Sequence, residues 1–250
     1  SIGLQSANDG ELRILGRRAG KSEVQSVVSR AKKAGINNIS LDVMLGVPGQ
    51  TKESLKSTLD FCISSGVPHL SCYILKIEEN TPFFRMRDKL PFPSDDDTAD
   101  MYLFMCEYLE EHGIMQYEIS NFAVPGFESR HNLKYSHDEE YLGIGASAHS
   151  FLGGKRTYYP RDIEYFISGN ERLTEGDGGD EEEFCIALRL REGLTQERFY
   201  ARFHHEIPQK MFESAKQYEK YGLCSCESGG ISLTRRGFLL SNSVISEIIL

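Results

Sequence analysis

The sequence lacks several features that would place it in particular classes of protein. It has no tryptophan and no apolar run long enough to span a bilayer. Its 250 residues include 28 Lys and Arg against 37 Asp and Glu, which gives a net charge of −9. Because nucleic acids and anionic membranes attract basic surfaces, this charge excludes a generic polyanion-binding protein. Any site for an anionic ligand must therefore be local.

The six cysteines have neither the spacing of a disulfide framework nor a CxxC pair. Only Cys224 and Cys226 are close in sequence, and no second pair is present to complete a metal site with them. We expect most of the cysteines to be small buried residues in a reducing compartment. Since no secretory segment is seen either, the sequence predicts a cytoplasmic protein.

What is present is enough apolar sequence for a sizeable core, with 40 % hydrophobic residues. The first 70 residues alternate between strand and helix patterns. Residues 38–51, NISLDVMLGVPGQT, form a nearly continuous apolar run typical of a strand buried on both faces. A helical pattern with a predicted capping box at Ser22 and Gln25 precedes this run. A second helical pattern and the strand HLSCYIL follow it. This order predicts βαβ units, hence an α/β fold with a parallel sheet.

The later segments predict one more strand, a loop and a separate C-terminal domain. MQYEISNFA at 115–123 indicates one strand, and residues 131–151 show little helical periodicity. Residues 174–183, TEGDGGDEEE, have the composition of a linker. Beyond them we expect three helices, at about 181–191, 195–203 and 208–221, and then a hairpin. The sequence thus predicts domains at 1–176 and 177–250, the second winged-helix-like.

Asp42 is a carboxylate inside the most apolar strand of the chain, where an unpaired charge costs several kcal/mol. One interpretation is a structural ion pair with Arg17 or Lys32. The other is a ligand site, because Gln5 and Asp42 lie near the carboxyl ends of predicted parallel strands, where α/β sheets bind small molecules. The residue pattern alone leaves both interpretations open.

Several ordered segments carry a family resemblance that runs through essentially the whole chain. They are SIGLQS, LGRRAG, NISLDVMLGVPGQT, HLSCYIL, YEISNFA, ESRHNLKYS, YLGIGASAHSF and LTRRG. In this order and spacing, the sequence resembles the oxygen-independent coproporphyrinogen III oxidase-like radical SAM proteins, and within them the haem-chaperone branch called HemW. The resemblance implies the rear portion of a partial (β/α)6 barrel, followed by a small helical, winged-helix-like domain.

The resemblance also implies cofactors. Members of this family carry a CxxxCxxC loop that holds a [4Fe–4S] cluster, and this chain contains no such motif. We therefore expect a cluster-binding segment to precede the present residues, and we expect this chain not to cleave S-adenosylmethionine alone. Carried over by position, the resemblance assigns Gln5, Arg17 and Asp42 to S-adenosylmethionine binding. A guanidinium suits a carboxylate, and amide and carboxylate oxygens suit ribose hydroxyls.

For haem, the resemblance points to the later histidines. The family motif His-Asn followed by Tyr-Trp here reads His131-Asn132-Leu133-Lys134-Tyr135-Ser136, so serine replaces the tryptophan. If that ring lines a tetrapyrrole, a stacking partner is lost. His131 and His149 are the candidates to approach haem iron, since neutral imidazole is a usual axial ligand. A satisfied hydrogen-bonding histidine is the alternative for each of them.

The implied function is a cytoplasmic haem-binding chaperone whose partners are haem or a related tetrapyrrole and haem-receiving apoproteins. Peripheral membrane association is left open. The first alternative is coproporphyrinogen III oxidation, which decarboxylates propionate side chains. The second is a winged-helix interaction module without catalysis. Nucleic acid is not an expected partner, because residues 178–250 hold nine Lys or Arg against eleven Asp or Glu. No catalytic residue is assigned.

Overall fold

A computed structural model of the chain describes residues 1–179, 184–227 and 229–249. The chain divides into two compact units, 1–128 and 129–250, and each is described by itself. The predicted domain boundary between residues 176 and 177 stays a prediction. No helix among the described residues combines the length and apolar character needed to cross a membrane.

The first unit is built on a five-stranded mixed sheet of order β1-β2-β3-β5-β4. Strands β1, β2 and β3 are parallel, which confirms the predicted βαβ units. Strand β5 runs antiparallel to both β3 and β4. The strands are β1 (Ile2–Gln5), β2 (Ser40–Leu45), β3 (His69–Ile74), β4 (Met115–Gln116) and β5 (Asn121–Ala123).

Helices connect these strands, and most begin with a polar cap. They are α1 (Asp9–Ile14), α2 (Lys21–Lys33), α3 (Lys52–Ser64), α4 (Pro82–Met86) and α5 (Asp95–Glu111), with a 3₁₀ turn at Arg87–Lys89. The capping box predicted at Ser22 and Gln25 is wrong. Helix α2 begins earlier, and Glu23 accepts a 3.0 Å hydrogen bond from the Gly20 backbone N–H instead.

Alternation along β2 separates a packed face of the sheet from a polar one. Leu41, Val43 and Leu45 are fully buried, and they share the core of this unit with apolar residues of α3 and α5. Ser40, Asp42 and Met44 point to the opposite, partly accessible face. Asp42 therefore does not lie on the helix-packed face.

The segment predicted as one strand at 115–123 forms two short antiparallel strands with a turn between them. The Asn121 backbone N–H donates to the Glu118 carbonyl, at 3.3 Å. The Glu118 carboxylate accepts from the Ser120 backbone N–H, at 3.0 Å, and from Asn121 Nδ2, at 2.7 Å. A glutamate that stabilises a local turn competes with a continuous ladder, so the single-strand prediction is wrong.

The first half of the second unit holds a three-stranded antiparallel sheet of order β6-β7-β8. Its elements are α6 (Arg130–Ser136), β6 (His149–Leu152), β7 (Lys155–Tyr158), α7 (Ile163–Ile167) and β8 (Leu173–Asp177). Two predictions are wrong here. His131 lies on a short helix capped by Ser129 rather than in a loop. Residues 174–177, predicted as linker, belong to β8.

The rest of the second unit contains two of the three predicted helices and the predicted hairpin, but the described part of the helix predicted at 181–191 forms a 3₁₀ turn. It comprises a 3₁₀ turn at Cys185–Arg189, α8 (Gln196–Phe203), α9 (Gln209–Glu219), β9 (Cys224–Ser225), β10 (Ser232–Leu233), α10 (Arg235–Leu239) and α11 (Ser241–Ile249). Strands β9 and β10 pair antiparallel, which confirms the hairpin. The predicted helical residues 181–183 and the turn residue Ser228 lie outside the described residues.

Candidate functional site

Gln5 and Arg17, two of the predicted ligand residues, meet over Gly3. A β-carbon placed on Gly3 would lie 2.9 Å from Gln5 Nε2 and 4.0 Å from Arg17 Nη1. In the sheet, Gly3 pairs with Asp42 of β2, so the same position also adjoins the third predicted residue. Because Gly3 has no side chain, the Gln5 amide can lie over this position, close to the Arg17 guanidinium and beside the strand position of Asp42.

The backbone around Gln5 is irregular in a way that positions its side chain. Gly3 pairs with Asp42 and Gln5 pairs with Val43, so the ladder skips Leu4. Gln5 itself has φ of 67°, in the left-handed region that non-glycine residues seldom adopt. Such strain is typical of ligand-binding positions, where the surrounding structure holds the residue in place.

Arg17 reaches this place because helix α1 ends in a Schellman turn. Gly16 has φ of 67°, and the Arg17 backbone N–H donates to the Leu12 carbonyl at 2.9 Å. The guanidinium remains accessible. It is therefore available to an anionic group such as a carboxylate.

Asp42 accepts a 2.8 Å hydrogen bond from Ser1 Oγ. Among the described residues, no ion pair joins it to Arg17 or Lys32 within 4.0 Å. Lys32 instead donates to the carbonyls of Ser65 and Gly66, at 2.8 and 2.9 Å. The described contacts thus do not include the structural ion pair, and the ligand role of Asp42 stays a prediction.

Sequence reasoning missed a hydrogen-bonded histidine on the same polar face. Both ring nitrogens of His69 are occupied: Nδ1 lies 2.7 Å from Ser40 Oγ, and Nε2 lies 2.8 Å from Tyr117 Oη. Burial lowers the pKa of His69, although the negative charges of Asp42 and Glu128 oppose this effect. His69 is therefore neutral near pH 7. His69 lies directly opposite Ser40 in the pairing of β2 with β3. Only this strand pairing reveals the contact, and it could not be read from the sequence.

A buried carboxylate, Glu11, organises the turn that follows β2. It accepts from Ser6 Oγ at 2.6 Å and from Ser54 Oγ at 2.5 Å. Gln50 of the GVPGQ segment donates to Glu11 at 3.4 Å and accepts from the Gly46 backbone N–H at 2.8 Å. The GVPGQ segment thus serves as a strand-to-helix turn tied to α1.

The cysteines of this chain do not fit a [4Fe–4S] cluster. Five of the six are buried, and among the described residues no group of three or more His, Cys, Asp or Glu side chains could hold a metal ion. Burial raises the pKa of the Cys62 thiol to about 12, so this side chain stays a protonated core residue.

In the second unit, His131 begins a chain of aromatic contacts. Its Nε2 lies 3.0 Å from Tyr135 Oη, and the two ring centroids are 5.1 Å apart. Tyr135 in turn contacts Tyr141 edge to face, at 4.6 Å. Tyr135 is 44 % exposed, whereas Ser136 is only 7 % exposed. The serine that replaces tryptophan therefore lies off this exposed surface, and the exposed ring of the motif is Tyr135.

His149, the other predicted haem candidate, lies at the start of β6. Its Nδ1 is 3.1 Å from Glu175 Oε2, and its ring stacks on Tyr158, with centroids 5.4 Å apart and planes at 18°. Gly143 packs against the same residue: a β-carbon there would lie 2.1 Å from the His149 carbonyl oxygen. The glycine of YLGIG is needed for this close approach.

The two candidate histidines belong to one surface through Tyr141. Burial raises the pKa of the Tyr141 phenol, Arg156 opposes the shift, and the nearby Tyr135 and Glu175 add to it. Tyr141 contacts Tyr135 on the His131 side, and it pairs with Phe151, which lies two residues after His149 in β6. We call this set the aromatic surface; it comprises His131, Tyr135, Tyr141, His149, Tyr158 and Glu175.

Two family models match separate parts of the sequence. The radical SAM superfamily model matches residues 1–62, and the HemN C-terminal domain model matches residues 181–240. The first match contains Gln5, Arg17 and Asp42. The second falls within the predicted C-terminal domain.

Curated relatives match the full length of the chain. It is 34 % identical to heme chaperone HemW of Lactococcus lactis and covers 68 % of that protein. It is also 34 % identical to heme chaperone HemW of Bacillus subtilis, of which it covers 69 %. The mitochondrial radical S-adenosyl methionine domain-containing protein 1 of Danio rerio is 31 % identical, with 61 % covered.

A solved structure shares the fold. The coproporphyrinogen III oxidase HemN from Escherichia coli, described as a radical SAM enzyme, superposes with a TM-score of 0.78 at 18 % identity. The match covers 98 % of this chain and 62 % of that one. At this identity the likeness shows the fold alone, an α/β radical SAM-like fold with a C-terminal helical domain.

Proposed function

Because the chain belongs to the HemW-type branch of the radical SAM family, we propose that it binds haem and delivers it to haem-free acceptor proteins. Relatives that carry the haem-chaperone name match it over its entire length at 34 % identity. The proposed cargo is haem or a closely related tetrapyrrole. The cytoplasm is its proposed location, on the grounds of its free cysteines.

The aromatic surface is the observation that carries this proposal. Haem presents a large apolar ring and an iron atom that takes imidazole ligands. The surface combines the exposed ring of Tyr135 and the half-buried rings of Tyr141 and Tyr158 with the two histidines. The exposed apolar Leu142 and Ile144 flank Gly143, whose backbone lies against His149. An exposed apolar patch next to histidine suits a ligand with these two properties.

Coproporphyrinogen III oxidation is the less supported function. The oxidase structure is only 18 % identical to this chain, and an identity this low supports a shared fold but not a shared activity. The chaperone relatives, at 34 % identity, are nearly twice as similar in sequence. The family resemblance to the chaperone branch therefore takes precedence.

For S-adenosylmethionine, we propose Gln5, Arg17 and Asp42 as binding residues. All three residues lie at or beside Gly3, and their donor and acceptor groups match a carboxylate and ribose hydroxyls. When bound together with a cluster, this cofactor supplies radical chemistry. The residues of this chain would orient its amino acid and ribose ends.

The test is titration of the chain with hemin, followed through the Soret band. We expect saturable binding at one haem per chain. A variant with both His131→Ala and His149→Ala should bind at least about tenfold more weakly, since an axial bond contributes several kcal/mol. His112→Ala, an exposed histidine of the first unit, is the matched control and should bind like wild type. A linear, unsaturable rise in absorbance would contradict the proposal.

A further inference from the structure

We infer that the first unit carries a docking cleft for a basic segment of a partner protein, between the amino-terminal end of helix α3 and helix α5. The inference goes beyond haem binding and does not depend on it, because the cleft lies in the first unit and the aromatic surface lies in the second. The segment that fits is extended and carries two arginine or lysine side chains three positions apart.

The cleft has a fixed wall and an apolar floor. Its volume is about 710 Å³, which is within the range of protein ligand sites. One wall is the segment PFP at 91–93. A 2.7 Å hydrogen bond from the Gly49 backbone N–H to the Pro91 carbonyl ties this wall to the GVPGQ turn before α3. Met101 and Phe104 of α5 supply the floor, so an apolar stretch of a bound segment has a surface to cover.

Carboxylates of α5 line one side of this cleft. They belong to Asp97, Asp100 and Glu107. Asp97 Oδ2 accepts a 2.6 Å hydrogen bond from Ser94 Oγ and so belongs to the cap of the helix. In the part of the chain that the structure describes, the exposed side chains of Asp100 and Glu107 have neither a hydrogen bond nor an ion pair. These two carboxylates are therefore available to cations from outside the chain.

The cleft already accepts one cation from this chain. Lys52 Nζ lies 4.6 Å from the centroid of the Phe104 ring, which is a cation–π contact. Among the described residues, Lys52 forms no ion pair with a carboxylate within 4.0 Å. Three carboxylates thus face a single ammonium group in the cleft. This excess of negative charge attracts a basic partner and repels an anionic one.

The spacing of the two available carboxylates indicates the conformation of the partner. Asp100 and Glu107 are seven residues apart on α5, which corresponds to about 10 Å along the helix axis. In a polyproline II segment, residues three positions apart share one face and lie about 9 Å apart. Basic side chains at these positions reach both carboxylates, while the residues between them lie over Phe104. Grooves with aromatic walls commonly bind segments of this kind.

Fluorescence anisotropy with a labelled peptide tests the inference. The probe is acetyl-Ala-Arg-Pro-Leu-Arg-Pro-Ala-amide with a fluorescein label. The chain should bind it saturably, and more weakly as salt rises, because exposed charge pairs are screened. A peptide with both arginines replaced by glutamate should not bind, and one with the two arginines adjacent should bind more weakly. A chain that does not bind the arginine peptide, or that binds the arginine and glutamate peptides equally, would overturn the inference.

Variants locate the binding in the cleft. Asp100→Asn together with Glu107→Gln should weaken peptide binding by about tenfold. Asp88→Asn together with Glu111→Gln removes the same charges from exposed positions outside the cleft and should bind like wild type. Lys52→Ala should tighten binding by about threefold because it removes a repelling ammonium group, and a partly unfolded variant could not produce this gain. Equal affinity of wild type and the Asp100/Glu107 variant would overturn the inference.

A second copy of this chain is the other occupant that the experiments can identify. Sedimentation velocity of wild type and of the Asp100/Glu107 variant at rising protein concentration distinguishes it. Dimers in wild type that disappear in the variant would place a second copy in the cleft and overturn the assignment to a partner protein. Monomers in both samples, together with binding of the arginine peptide, support the assignment. Circular dichroism verifies that each variant is folded.

Discussion

At the scale of single residues, the environment of a polar side chain depends on its hydrogen-bond partners more than on its residue type. Asp42, His69 and Gln5 all lie on the polar face of one sheet, yet only Asp42 and Gln5 stand out in the sequence. His69 begins the apolar segment HLSCYIL, and no sequence pattern indicates that Ser40 and Tyr117 are its hydrogen-bond partners. Pairing in the register brings them together.

The neutral state of His69 leads to a prediction about pH. Burial lowers the pKa of His69, so the unfolded chain binds a proton below about pH 6.5 that the folded chain does not. The free energy of unfolding should therefore fall as the pH is lowered through about 6.5, and level off below the folded pKa. Each unit of difference in pKa contributes about 1.4 kcal/mol.

Urea unfolding of wild type and His69→Gln at pH 7.5 and 5.5 measures this contribution. The difference in unfolding free energy between the two pH values should be smaller in the variant. His112→Gln, which alters an exposed histidine, should leave the difference as in wild type. An equal pH dependence in wild type and His69→Gln would show that His69 does not resist protonation in the folded state.

At the scale of elements, hydrophobic periodicity correctly predicted the secondary structure of the long segments. It failed where a polar side chain forms hydrogen bonds to the local backbone. The parallel strands β1, β2 and β3 and the helices between them follow from apolar patterns of 4 to 13 residues. The single strand predicted at 115–123 is divided by the turn that Glu118 stabilises. Helix α6 has seven residues, which is too short to show a clear hydrophobic period. The capping residue Ser129 is the sequence feature that could have indicated this helix.

The C-terminal hairpin gives a prediction at this scale. Gly193 and Gly222 share a left-handed φ of 71°, but their surroundings differ. A β-carbon on Gly193 would lie 2.2 Å from the Ile231 carbonyl oxygen, whereas a β-carbon on Gly222 would meet nothing within 4 Å. Gly222→Ala should cost about 1 kcal/mol from the backbone conformation alone. Gly193→Ala should cost more, about 3 kcal/mol, because it also disrupts the pairing of Leu194 with Ile231.

Thermal or urea unfolding of the two variants separates the steric contribution from the conformational one. Since both glycines have the same φ, the difference between the variants reports the contact with Ile231. Equal destabilisation of the two would show that the backbone at Gly193 relaxes away from this contact at little cost.

At the scale of the whole molecule, the family and fold class were accessible from the sequence, while the contacts that make a site were not. Ordered segments such as SIGLQS and YLGIGASAHSF identified the family and pointed to Gln5 and His149. The left-handed backbone of Gln5 and the bulge at Glu175 depend on tertiary packing, which local sequence does not encode. The assigned roles of Gln5 and His149 stay predictions.

The cysteine pattern makes a prediction for the chain as a whole. Anaerobic reconstitution of this 250-residue chain with iron and sulfide should give no stoichiometric [4Fe–4S] absorption, and the product should form no 5′-deoxyadenosine from S-adenosylmethionine. The reason is that no CxxxCxxC is present and five of the six cysteines are buried. A cluster at one per chain would contradict this account of the cysteines.

The central claim is that haem binds at the aromatic surface of the second unit, and hydrogen–deuterium exchange with and without hemin tests it most directly. Bound haem should slow exchange in peptides from α6, from the YLGIG segment and from strands β6 to β8. Peptides from β1, β2 and β3 serve as internal controls and should exchange at the same rate in both samples. Protection confined to residues 1–128, or no protection under saturating hemin, would contradict the claim.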